Sequence, residues 1–120
     1  MKEVLYRLLA IRELAKELHY VFVKEYGLHL LYDRVSEGLN EFRDRLTEAG
    51  ILKAGEFAPS ARDNFQGALI VLEEVKASRE GLKGLCVDTL EVMRGLEVDE
   101  GTKAVLDSIA EKLNTSIALL

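Results

Sequence analysis

Both histidines of the chain fall within eleven residues, and three acids follow them at helical intervals. His29 and Asp33 are four residues apart, as are Asp44 and Glu48. That spacing puts each pair on one face of an α-helix. Eleven residues separate Asp33 from Asp44, nearly three whole turns at ~3.6 residues per turn. His29, Asp33, Asp44 and Glu48 therefore line one stripe of a single helix, roughly opposite the apolar stripe of Leu31, Val35, Leu39, Phe42 and Leu46. His19 stands ten residues before His29. Imidazole combined with carboxylate suits Fe, Mn or Zn, whereas all-oxygen sites suit Mg or Ca. Two His and three acids are enough for one or two iron ions. At ~1.5 Å rise per residue, however, Asp33 and Asp44 lie about 16 Å apart along the helix. One chain cannot close both pairs around one centre, but a second copy related by a twofold axis can. It would set the Asp44/Glu48 pair of one chain beside the His29/Asp33 pair of its mate. The bland alternative is that this stripe is only the solvated face of an amphipathic helix. The Glu-x-x-His signature of bundle di-iron proteins is absent, because Lys16 precedes His19 by three and Tyr26 precedes His29 by three.

Four helices are predicted to position these residues, since apolar residues recur at threes and fours along the chain. The first covers about residues 2–25, through Leu5, Leu8, Leu9, Leu14, Leu18, Val21 and Phe22. Tyr26-Gly27 is a short break, and the second helix covers about 28–49. Gly50 follows it, where a helix C-terminus favours φ > 0. Residues 50–59 form the longest loop, with two Gly and the only Pro. Ser60 opens a capping box whose usual Glu is replaced by Asp63, and the third helix spans about 61–95 through Phe65, Leu69, Leu72, Val75, Leu82, Leu85, Leu90 and Met93. Gly81 and Gly84 weaken it by up to ~1 kcal/mol each, so a kink or two separate helices is the alternative there. Asp99 caps the fourth helix, about 100–118, which uses Val105, Leu106, Ile109, Leu113 and Ile117. No strand pattern, repeat or low-complexity segment is present. Four amphipathic helices hide their stripes in an all-α bundle, and the long second loop favours two antiparallel hairpins joined by one crossover.

Composition narrows the functional classes. The 120 residues suit a single domain spanning 1–120, with 48% hydrophobic and 31% charged. Sixteen Lys plus Arg against 21 Asp plus Glu leave a net charge of −5, which argues against a general phosphate-binding surface. One Cys excludes an internal disulfide and points to a reducing compartment. No apolar run is long enough to span a bilayer, and Arg7, Arg12, Glu13, Lys16 and Glu17 interrupt any signal-peptide core. The expectation is a cytoplasmic protein without membrane contact. Cys86, between Leu85 and Val87, reads as a buried, inert thiol, and Met93 as core. Lys76, Arg79 and Lys83 alternate with Glu73, Glu74 and Glu80, which reads as a solvated face rather than a nucleic-acid site.

The ordered set His19, His29-x-x-x-Asp33, Asp44-x-x-x-Glu48 resembles the ferroxidase constellation of the Dps mini-ferritins, the DNA-protection-during-starvation family. In that family the first His is followed by Trp, where this chain has Tyr20, and the two His are two residues further apart. Asp99-Glu100-Gly101-Thr102-Lys103-Ala104-Val105-Leu106 resembles the family's opening of its last helix. The resemblance implies a ferritin-like four-helix bundle with one long crossover between the second and third helices. It implies a homo-oligomer built on a twofold dimer, or the larger cage. Asp44 and Glu48 of one chain, with His19, His29 and Asp33 of its mate, would hold ferrous iron for oxidation to Fe(III) by peroxide or oxygen, protecting against oxidative stress. Tyr20, Tyr26 and Tyr32 would pack at the interface or take up stray oxidising equivalents. Family members usually carry a short helix between the second and third helices, for which the loop of residues 50–59 leaves no room. Many bind DNA through a basic tail; here only Lys2 precedes the first helix, so tail-driven DNA binding is not expected. Two other readings stand beside this one: a non-enzymatic helical interaction module, and a bundle that binds Zn or Mn structurally at a dimer seam.

Overall fold

In a computed structural model describing residues 1–120, the first helix, α1 (Lys2–Val21), buries nine residues: Val4, Leu5, Leu8, Leu9, Ala10, Ile11, Leu14, Ala15 and Leu18. These positions cover more than one stripe, so α1 needs partners on several flanks. It finds them in α2 (Tyr26–Ser36), α3 (Leu39–Thr47), α4 (Ala61–Glu73) and α5 (Arg79–Arg94). A π-helical turn, Glu48–Leu52, follows α3. The last helix, α6 (Glu100–Leu119), rests on α5, α3, α2 and the π turn. The chain is thus all-helical, with six α-helices around one core of 24 buried apolar residues. No helix is long and apolar enough to cross a membrane.

Residue pairs between elements give their directions. Gly50 packs near Met1, so the α2–α3–π run is antiparallel to α1. The Thr102 hydroxyl donates to the Ala49 carbonyl at 3.1 Å, and Lys112 donates to the carbonyl of Arg34, so α6 runs antiparallel to that same stack. Arg79 donates through Nε to Leu120 O at 2.8 Å and through an Nη to Leu119 O at 3.1 Å, tying the start of α5 to the end of α6. Helix α4 lies along α1 alone. Its Gly67 abuts Tyr6 near the start of α1, while Leu72 lines a shared cleft with Leu14 nearer the end.

The predicted helices exist, but two of them are broken. The second is divided by Glu37 and Gly38, where Gly38 adopts φ 77°, and Gly38 precedes α3 in place of a continuing turn. A residue with a Cβ is rarely stable at that φ. The expected stop at Gly50 does not occur. Gly50 lies inside the π turn, and a Cβ there would stand 3.2 Å from Met1 and Thr102 side chains. Its role is close packing; the positive φ belongs to Gly55 (78°) in the loop beyond. The first helix ends at Val21 rather than near residue 25. Residues 61–95 form two helices, α4 and α5, separated at residues 74–78. Phe65 and Leu69, expected in the core, are about 60% and 58% exposed on the free side of α4.

The caps explain where these helices start. Ser60 Oγ accepts from Asp63 N–H at 3.1 Å and Asp99 Oδ1 from Thr102 N–H at 2.8 Å, as the sequence indicates. Ser78 Oγ accepts from Gly81 N–H at 3.0 Å and starts α5, a cap not evident from a capping-box pattern because Gly81 supplies no Glu or Gln side chain. Gly81 is needed for another reason: a Cβ on it would fall 1.9 Å from the Lys76 carbonyl oxygen, so the turn before α5 closes only over a bare Cα. Gly84, in contrast, has nothing within 4 Å of its Cβ position. In urea unfolding, Gly84→Ala should therefore stabilise the protein by ~0.5–1 kcal/mol, the usual helix-interior gain. Gly81→Ala should destabilise it by ~1–3 kcal/mol, because backbone must move. Equal effects from the two substitutions would contradict this reading of the α4–α5 junction.

Candidate functional site

The turn between α1 and α2 is only four residues, 22–25, and it brings His19 back onto His29. Their rings stack at 3.5 Å between centroids, 17° from parallel. Each is tied to the other's backbone: His19 Nδ1 lies 2.6 Å from the His29 carbonyl oxygen, and His29 Nδ1 lies 2.7 Å from the His19 carbonyl oxygen. A carbonyl only accepts, so both Nδ1 atoms carry hydrogen and donate. In the neutral imidazoles this leaves both Nε2 lone pairs free, the tautomer that binds a metal. A carbonyl on the far nitrogen is also the usual outer partner that orients a ligating histidine.

Asp33 sits one turn beyond His29. Lys16 Nζ is 2.8 Å from its Oδ1. That hydrogen bond is the main reason the Asp33 carboxyl is held below the ordinary carboxylate range; burial opposes it, and the Lys16 charge and the two imidazoles add to it. Lys16 is the residue that sequence reasoning left out. Its signal was available, because Lys16-x-x-His19 places both on one face of α1. It stands where the di-iron bundle signature would carry Glu, and it provides a cation that any metal at Asp33 must displace. A wholly polar cleft of about 310 Å³ opens beside this pair at the α2–α3 break, lined by Arg12, Lys16, Asp33, Glu37 and Glu41 among others.

His19, His29 and Asp33 are therefore neighbours, whereas Asp44 and Glu48 are not brought to them. Asp44 is exposed on α3 and Glu48 is exposed at the start of the π turn. The eleven-residue arithmetic requires an unbroken helix, and the extended Glu37 (ψ 133°) followed by left-handed Gly38 resets the phase between the two pairs. Within one chain no group of three or more His, Cys, Asp or Glu side chains converges on a common point. Of the tyrosines, Tyr20 and Tyr26 are exposed, and Tyr32 is buried. Cys86 is fully buried, and burial pushes its thiol up to about 12, so it stays protonated.

The Lys16–Asp33 pair predicts a pH signature. A carboxyl whose folded pKa is depressed stabilises the fold above its unfolded pKa, and this contribution disappears as pH falls through the folded value. Comparing wild type with Lys16→Met by chemical denaturation, the stability difference at neutral pH should shrink as pH drops below about 4. Both side chains are partly exposed, so the neutral-pH difference should be at most ~1 kcal/mol. A difference that stays constant down to acid pH would show that Lys16 acts through packing instead.

Comparison with known protein families, curated proteins and solved structures finds no match to this chain.

Proposed function

We propose that this chain is a ferritin-like iron-oxidising protein of the Dps type, working as a twofold homodimer or a larger assembly in the cytoplasm. The observation that carries the reading is the paired imidazole: two histidines oriented by backbone carbonyls, both Nε2 atoms free, with the Asp33 carboxylate beside them. Asp44 and Glu48, too far along the chain to join them, come from the mate.

The helix directions support a ferritin-like bundle. Each of α1, the α2–α3–π stack, α6 and α5 runs antiparallel to its neighbours, which makes α5 parallel to the stack that precedes it. The chain must return along the bundle between them, and α4 makes that return alongside α1. That return is made by residues of the expected third helix, whose first part folds as the separate α4. Its free face presents Phe65, Leu69 and Ile70 to solvent, an apolar surface suited to a second copy.

In the proposed reaction Fe(II) is the substrate. Two Fe(II) ions each give one electron to hydrogen peroxide, whose O–O bond breaks and which leaves as water after taking up two protons. The protein holds the ions through imidazole nitrogen and carboxylate oxygen and leaves positions open for the oxidant. Consuming peroxide and Fe(II) together removes both reactants that generate hydroxyl radical. The exposed α4 face also favours a second reading, a helical interaction module without catalysis. A structural Zn or Mn dimer uses the same ligands.

Anaerobic addition of Fe(II) with hydrogen peroxide, the oxidant of the proposed step, distinguishes these. Near-ultraviolet ferric absorbance should rise faster with protein than in buffer. His19→Ala and Asp44→Ala chains should each be inactive alone. Refolded together, half the dimers are mixed, and each mixed dimer has one intact site of two, so about a quarter of wild-type activity should return. No recovery from folded, dimeric mixtures contradicts the shared site. Stabilisation by Zn without Fe(II) oxidation supports the structural alternative, and neither effect leaves the interaction module.

A further inference from the structure

Tyr32 has a polar tip that nothing in the chain uses. It is 1% exposed and packs against Phe22 with ring centroids 5.6 Å apart. Burial pushes its phenol above the ordinary range; Arg79 opposes this, Glu80 and Glu25 reinforce it, and no hydrogen-bond partner contributes. The hydroxyl is not one of the chain's buried unpartnered atoms, which are Arg43 Nε and Asn64 Oδ1, so the little of Tyr32 that meets solvent includes its polar tip. Tyr32 lines a half-open groove of about 460 Å³ where the end of α1, the start of α2 and the start of α5 meet. That volume lies within the range of small-molecule sites.

The groove combines apolar walls with a net negative lining, two carboxylates against one guanidinium. Leu18, Val21, Phe22 and Leu28 form the walls. Glu17 and Glu80 stand at its edge, and neither is among the chain's ion pairs. Arg79 is the one cation lining it; its guanidinium keeps its charge but is tethered to the Leu119 and Leu120 carbonyls at the end of α6. We propose that this groove binds an organic ammonium, a protonated amine carried on an apolar body. The ammonium lies toward Glu17, Glu80 and the Tyr32 hydroxyl, and the body lies against the apolar walls. An anion would meet two unpaired carboxylates, and a neutral ligand would leave their charge unanswered. None of the five residues of the iron proposal lines this groove, so the two proposals stand or fall separately.

The test uses the iron-free full chain, with benzylammonium as probe and benzyl alcohol and benzoate as isosteric controls, followed by NMR. Benzylammonium should give saturable shifts at the Tyr32 ring and the Ser78–Glu80 amides, with a dissociation constant on the order of 1 mM. Benzyl alcohol should bind about tenfold more weakly, and benzoate should give no saturable shift. The combined Glu17→Gln and Glu80→Gln variant, changed only at exposed positions, should lose about tenfold in affinity with its thermal unfolding preserved. Tyr32→Phe should lose roughly threefold. Alcohol binding as tight as ammonium binding would overturn the proposal. So would affinity unchanged in the double variant, or no saturable shift with benzylammonium.

Discussion

Burial of α1 on several flanks at once is the constraint from which the remaining architecture follows. Nine of its residues leave solvent, including the small Ala10 and Ala15, which let neighbouring helices come close. Each fully buried aliphatic side chain contributes ~1.5–3 kcal/mol, so leaving any flank of α1 uncovered would be costly. That demand recruits α2 and α3 on one side, α5 on another and α4 on a third. The contact with α4 works because Gly67 has no Cβ; one there would enter the Tyr6 ring at 2.3 Å. Helix α6 then closes the core by covering what α5 and the α2–α3 stack leave open.

One edge of α1 escapes this burial, and its chemistry collects there. Arg12, Lys16 and His19 recur at four and three along that edge, facing α2 and the polar cleft. The reciprocal imidazole–carbonyl bonds clasp the hairpin, each worth ~1 kcal/mol net. The same two bonds set the tautomer of both rings. Hairpin closure and imidazole orientation are therefore one event: folding α1 onto α2 leaves two ring Nε2 lone pairs unused by the backbone. Lys16 keeps that carboxylate ionised and compensated. In the proposed reaction this makes metal entry an exchange of one cation for another rather than the filling of a bare anionic site.

Much of this was legible in the residues. Helical periodicity revealed every α-helical region, because stripes such as Leu5, Leu8 and Leu9 admit no strand reading, but not the π turn that runs on through Gly50 to Leu52. Ser60 and Asp99 marked their caps correctly, since an Asx or Ser side chain before an apolar run has few other uses. The breaks were harder. Gly38 looks like any tolerated glycine within a helical pattern, and only its backbone torsion reveals that the stripe is interrupted. Gly50 carried a plausible stop signal, yet it serves packing, which depends on Met1 and Thr102 arriving from distant parts of the chain. Of the candidate residues, local spacing pairs His29 with Asp33, and the short α1–α2 turn stacks His19 on His29, which spacing along one helix does not reveal. Asp44 and Glu48 cannot be placed relative to them by arithmetic along a helix that does not continue.

The most direct test is a crystal structure with Fe(II) or Zn(II) added, read by anomalous scattering at the metal edge. A shared site puts the anomalous peak at a twofold contact, within bonding distance of His19, His29 and Asp33 of one protomer and of Asp44 and Glu48 from its mate, with Lys16 turned away from Asp33. Metal density elsewhere contradicts the iron proposal. So does an assembly in which those five side chains face bulk solvent apart from one another.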